Sequence, residues 1–408
     1  MLVDFVVGGL ARNEDFCFRD EFVEDLWDVL RKENILLLAP RRMGKTSVMY
    51  RLLDQPRNGF HVVHMNVEPL ETPADFFISL IDAVNEHQPD FLKRVLAPSW
   101  NLLKKALEKV DELEFSEFKI KLRKAEEWDA RWQELAIQFM ERVRKSGEPI
   151  LFIIDELPDM LTAMDARNRS ELISFLHVFR KMRQTSGDAS IRWLVGGSVN
   201  IRGTLDELGQ LKLINDFRTE ILPPLTPDEV GEFVSMMLDD RDMDYDPAIV
   251  QEIQDLLGNP IPFFLQLLTQ ELYRHWRRHG RQRIEAETVR HVYQHVLLGE
   301  AAHDKLQHFH SRIRLHYPED EQEAAYVLLD HLSLTEAGTS LKALLNHYAE
   351  LENGKASPRS GQALKRGFDL LLLRLQSDFY VERTERGLDF SSRLLKVWWK
   401  RSYGYDAA

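Results

Sequence analysis

Residues 35–47 read ILLLAPRRMGKTS, and no other stretch restricts the fold as much. Ile35 to Leu38 form a continuous apolar run that ends at Ala39-Pro40, the pattern of a strand buried on both faces of a parallel sheet. Ser47 to Leu53 follows with helical spacing. A loop of the form G-x-x-x-x-G-K-[ST] between a strand and a helix binds phosphate, because the backbone N–H groups at the helix start cradle an anion. Ala39 stands in the first glycine position here, and Pro40, Arg41, Arg42 and Met43 fill the loop. Gly44 lets the backbone approach the phosphates, Lys45 places a positive charge at the β- and γ-phosphates, Thr46 offers a hydroxyl to Mg²⁺, and Ser47 opens the helix. A chance Gly-Lys-Thr would not explain the strand and helix on either side.

A second motif completes the first. PILFIIDELPDML is an apolar strand ending in Asp155, placed to hold Mg²⁺. Glu156 follows and is the candidate to orient or deprotonate an attacking water. Alone, an acidic pair at a strand end says little. With the phosphate loop it supplies the parts for hydrolysing ATP as well as binding it.

The 408 residues exceed one compact core and predict two or three domains. Apolar residues make up 44% and charged residues 29%, which argues against wholesale disorder. The sequence has no apolar run of spanning length, and its first residues lack a basic signal-peptide region, so no membrane association is expected. The single cysteine, Cys17, fits a reducing cytoplasm and reads as a small buried hydrophobe. The net charge of −13 limits any nucleic-acid contact to local basic patches.

Further strands are expected at 61–67, 149–154, 191–195 and 219–222, the fourth ending at Gly196-Gly197-Ser198, with an amphipathic helix at 171–184. Alternating strands and helices mean an α/β sheet with crossover helices. Residues 90–146 are long, charged and without glycine, and read as a helical insertion. The pattern becomes nearly all helical from about 227, and DFYVER and LDFSS flank a turn at 384–387 as a β-hairpin. The predicted organisation is a nucleotide-binding domain at 1–226, a helical lid at 227–300 and a winged-helix-like domain at 301–408.

These residues resemble the archaeal-type AAA+ ATPases of the STAND/MNS clade, relatives of the Orc-type replication initiators. FVVGGLARNEDFCFRDEFVEDLWDVLRKENILLLAPRRMGKTS resembles their N-terminus, and the Arg41-Arg42 pair is typical of them. The resemblance implies that Arg19 packs near the adenine and that Pro260, in GNPIPFFLQLL, lies by the base. It further implies that Ser198 or Asn200, in LVGGSVNIRGTL, is the polar sensor near the γ-phosphate. Arg218, with Arg202 second, is the candidate arginine finger, weighed evenly against a surface arginine. The implied protein is an ATP-dependent, Mg²⁺-using switch that forms nucleotide-dependent homo-oligomers and contacts DNA or a protein partner through its winged helix. A DNA-binding initiator- or transposition-like factor with slow turnover, and a partner-dependent defence or signalling switch, stay open as alternatives.

RHWRRHGRQR at 274–283 is either a phosphate-contacting patch or a solvated helix end capped by Gly280. Lys365, Arg366, Arg374, Arg383 and Arg386 are candidates for a recognition helix and wing. His303, His308, His310 and His316 lack carboxylate support for a metal site and read as surface or packing residues. Trp398-Trp399 reads as a core anchor.

Overall fold

The computed structural model describes residues 4–40, 42–96, 126–184, 191–197, 201, 205, 208–259 and 261–404. Arg41, Ser198, Asn200, Arg202 and Pro260 lie outside the described residues. Two compact units emerge. One is the sheet unit, Arg19–Ala39 with Lys45–Leu222; the other gathers the N-terminal residues, Pro40–Gly44 and Pro223–Ala408.

Five parallel strands, β1 (Asn34–Leu38), β2 (His61–Asn66), β3 (Ile150–Asp155), β4 (Ile191–Gly197) and β5 (Phe217–Ile221), build the sheet in the order β2-β3-β4-β1-β5. β3 and β4 are buried along their whole length, as a two-face-covered sheet requires. Alternate strand residues serve the two faces. Leu36, Val63, Phe152, Ile154 and Trp193 join one core cluster. The intervening Ile35, Leu37, Leu151, Ile153 and Leu194 are buried too, as are Trp27 and Leu30 of α1 (Asp20–Leu30) and Val48 and Leu52 of α2 (Lys45–Asp54). Each fully buried side chain of this size contributes about 1.5–3 kcal/mol.

The first cluster is closed by α3 (Pro73–His87), α4 (Pro89–Leu96), α5 (Glu126–Ser146) and α6 (Leu157–Gln184). Thr72 caps α3, accepting from Asp75 N at 3.1 Å, with Pro73 in the first turn. The sequence reads residues 90–146 as a helical insertion; their described ends are helical and join the core. Phe91 and Leu92 of α4, and Trp132, Ala136, Phe139, Met140 and Val143 of α5, are buried in the same core cluster as the sheet side chains. The apolar positions on α5 recur at helical spacing among charged residues, and the charge masked the stripe. The helix expected at 171–184 is the second half of α6; Asn168 leaves helical geometry and its side chain accepts from Ser170 N and Glu171 N, starting the second half.

The helical unit begins at α7 (Pro227–Asp239), where Thr226 and Glu229 form a reciprocal capping box. α8 (Ile249–Leu257), α9 (Pro262–Arg278), α10 (Ala286–Val292), a π turn (Tyr293–Leu297) and α11 (Glu300–His316) follow. α12 (Glu319–Leu334), α13 (Leu341–Asn353) and α14 (Gly361–Ser377) then lead into a hairpin of β6 (Val381–Thr384) and β7 (Gly387–Phe390) and into α15 (Arg393–Tyr403). A single bridge from Thr339 to Leu388 adds a third extended segment beside the hairpin. Trp398 and Trp399 are buried, and Trp399 Nε1 donates to Asp330 at 2.7 Å. Ser392 Oγ donates to the Leu257 carbonyl and Asn259 donates to Glu382, which ties the hairpin region to the end of α8 within this unit.

Candidate nucleotide site

In a parallel sheet the ends of β1 and β3 carry the loops that face a ligand. The strand order places β4 alone between them. The chain after β1 opens α2 with Lys45 and Thr46, and β3 ends on Asp155.

Lys45 Nζ donates to Asp155 Oδ1 at 2.8 Å and lies 3.2 Å from Glu156 Oε1. Thr46 Oγ1 donates to the other carboxylate oxygen, Oδ2, at 2.8 Å. Glu156 N donates back to Asp155 Oδ1 at 3.0 Å. Lys45 and Asp155 are both buried. Burial opposes the charge on Lys45, but Asp155 and then Glu156 outweigh it and hold its pKa above the ordinary value. Burial also pushes Asp155 up, yet Lys45 and the Thr46 hydrogen bond bring it below the usual carboxylate range. The buried pair is therefore ionised.

Two residues at this cluster have left-handed backbone. Gly44 has φ of +91°, a conformation that side chains rarely adopt, and a Cβ there would meet nothing within 4 Å, so the loop keeps open space. Glu156 has φ of +60° without being glycine. That costs about 1–2 kcal/mol and aims the carboxylate at Lys45.

The oxygen set fits Mg²⁺. One hydroxyl and one carboxylate, with the remaining positions left to phosphates and water, is the arrangement this hard ion prefers. The fit of a phosphate rests on Lys45, Gly44 and the start of α2.

Other expected site residues are distributed as follows. Ala39 is buried at the end of β1, Met43 and Ser47 are buried, and Arg19 is buried immediately before α1. Pro40 and Arg42 belong to the helical unit, where the Arg42 guanidinium lies 3.9 Å from the centre of the Phe263 ring and 5.5 Å from that of Phe309. Arg218 is paired in register with Ile35, toward the end of β1 away from the phosphate loop. Its guanidinium is held by Glu220 at 2.7 Å and Glu33 at 3.5 Å, outside the Lys45 cluster.

Two participants escaped the sequence reading. Gly196 stands beside the acid: a Cβ there would lie 2.9 Å from Asp155 Oδ1 and 2.0 Å from Met49 Cε. The Gly196-Gly197 pair was visible only as a strand end. His64 of β2, buried with its ring 4.5 Å from that of Tyr50, also lowers the Asp155 pKa. A lone histidine in an apolar strand gives no sequence signal of that kind.

The sheet order and the lysine–hydroxyl–carboxylate cluster define a P-loop NTPase of the AAA+ kind. The family model for novel STAND NTPase 1 matches residues 10–379, and the chain belongs to that family. Among solved structures it is similar to the Walker-type ATPase of Pyrococcus abyssi, at 14% identity and a TM-score of 0.60, covering 95% of this chain and 97% of that one. It is also similar to the Aeropyrum pernix ORC2 protein in its ADPNP–ADP complexes, at 13% identity and a TM-score of 0.56, covering 94% of this chain and 93% of that one. No curated protein matches the sequence. No described helix is long and apolar enough to cross a membrane.

Proposed function

We propose that this STAND-family NTPase is an Mg²⁺-dependent ATPase that works as a switch, its nucleotide state controlling assembly and contact with DNA or a protein partner. The observation that carries the reading is the Lys45–Thr46–Asp155–Glu156 cluster. Lys45 is the cation for the β- and γ-phosphates. Thr46 and Asp155 would hold Mg²⁺, which when bound spreads the charge that develops in phosphoryl transfer. Glu156, held by its strained backbone, is the base that positions and deprotonates the attacking water. Lys45 neutralises both acids, so a phosphate that draws the ammonium away leaves Glu156 freer to accept a proton.

Arg19 and Pro260 are proposed at the adenine, Ser198 or Asn200 as the sensor, and Arg218 as a finger presented to a neighbouring subunit. Its exposed position on edge strand β5 supports an intermolecular role. The order helix, bridge, two helices, hairpin at 319–390 supports a winged-helix reading of the C-terminal region, with Arg383 and Arg386 at the hairpin turn. The test is the mass in solution with ADP and with a non-hydrolysable ATP analogue, each with and without duplex DNA. The switch reading expects a larger assembly, a DNA complex, or both with the analogue. The same mass under all four conditions contradicts it.

A further inference from the structure

Four histidines from two neighbouring helical segments meet in the helical unit. His275 of α9 and His279, which caps the C-terminus of that helix, have ring centres 3.9 Å apart and planes nearly parallel. The His275 ring lies 5.6 Å from that of His291 of α10, and the His291 ring lies 4.7 Å from that of His295 of the π turn, both pairs tilted. His279, His291 and His295 are exposed and His275 is partly so. Burial first, and then His279 and His291, push the His275 pKa down, so these rings repel one another when charged.

Arginines stand close to these histidines in the chain. Arg278 lies one turn from His275 on α9 and is exposed. Arg281, also exposed, lies over the Trp276 ring at 5.3 Å. Arg401 of α15 donates to the Gln294 carbonyl at 3.1 Å, which brings the C-terminal helix to the π turn. Of the acids nearby, Glu271 pairs with Arg274 and Glu252 with Arg290. Glu287 stands one turn before His291, and Arg274 in turn acts on Lys305 of α11. The first two rings stack and the other pairs are tilted, and among the described residues no group of three His, Cys, Asp or Glu side chains is arranged to hold a metal ion. A row of imidazoles that repel one another when charged, with exposed arginines nearby in the chain, gains most from a ligand that is itself a row of anions.

We infer that the face formed by His275, His279, His291 and His295, with Arg278 and Arg281, binds the phosphate backbone of nucleic acid and takes up protons as it does so. This rests on the DNA arm of the proposed function and names a surface other than the hairpin. Bound phosphates remove the repulsion between the rings, so each imidazole that gains a proton adds a charge-assisted contact. Binding strengthens as the pH falls through the histidine range.

The experiment measures affinity for a fluorescent duplex of arbitrary sequence from about pH 8 to about pH 6 at constant ionic strength. The full chain is compared with a variant carrying His275→Asn, His279→Asn, His291→Asn and His295→Asn. The wild type should bind about tenfold or more tightly at the lower pH, with a steeper salt dependence. The fourfold variant should lose most of that gain while keeping its unfolding midpoint and its ATP turnover. Should the fourfold variant unfold, the exposed pair His279→Asn with His295→Asn should still remove a clear part of the gain. Arg383→Ala with Arg386→Ala should weaken binding by the same factor at every pH if the hairpin contributes. An unchanged pH gain in the histidine variants overturns this inference and leaves DNA binding standing. Absence of binding by the wild type at any pH overturns both, while the turnover assay reports separately on the ATPase reading.

Discussion

Lys45 Nζ and Asp155 Oδ1 are 2.8 Å apart, and both side chains are almost wholly removed from solvent. A buried pair of this kind is costly to break from one side, because the remaining charge has no partner. Lys45→Met and Asp155→Asn should each lower unfolding free energy by about 3 kcal/mol, and the double variant should lose less than the sum. Denaturant unfolding of the four proteins checks this. Lys45→Met should also lose ATP affinity, whereas Asp155→Asn should retain part of it.

The backbone at Glu156 separates stability from chemistry. Its φ of +60° is unfavourable for a side chain and free for glycine. Glu156→Gly should raise stability by about 1 kcal/mol while abolishing turnover. A loss of stability in that variant would show that the glutamate side chain holds the loop in place.

Gly196 tests the spacing beside the acid. A methyl group there would collide with Met49 Cε and press on Asp155 Oδ1. Gly196→Ala should reduce turnover well beyond its effect on the unfolding midpoint. Met49→Ala removes the closer obstacle and should restore part of the activity in the double variant, measured as phosphate release.

His310 provides a pH signature in the helical unit. Its ring stacks on Tyr403 at 3.7 Å, and burial lowers its pKa to about 4. The folded protein therefore binds fewer protons here than the unfolded chain between about pH 6.5 and about pH 4. The stability gained by keeping the ring neutral is present above that window and is lost as pH falls through it. The ring is only half-buried, so the discounted effect is on the order of 1–2 kcal/mol. His310→Phe keeps the stacking, and its unfolding midpoint should fall less than that of wild type between pH 7 and pH 4.5.

The phosphate loop and the acidic strand were legible because each is short, local and framed by strand or helix periodicity. Ile35 to Leu38 and Ile150 to Asp155 read as buried strands and are so. What the sequence could not carry depended on strand order. Gly196 adjoins Asp155 only because β4 lies between β3 and β1. The apolar stripe of α5 that carries Trp132 and Phe139 was not legible, since the same helix also carries many charges. The left-handed backbone of Glu156 leaves no trace in composition, because nothing in a Glu codes for it. Likewise, His275 and His291 meet by packing of separate helices.

In the proposed function Glu156 performs the hydrolytic step while Lys45, Thr46 and Asp155 hold the substrate. The direct measurement is a single-turnover assay with γ-labelled ATP and Mg²⁺, comparing wild type with Glu156→Gln and recording bound nucleotide in the same samples. The account predicts phosphate release by wild type that stops when Mg²⁺ is chelated, and full ATP occupancy with release slowed by about a hundredfold or more in Glu156→Gln. Equal release by the two proteins, at equal occupancy, would contradict it.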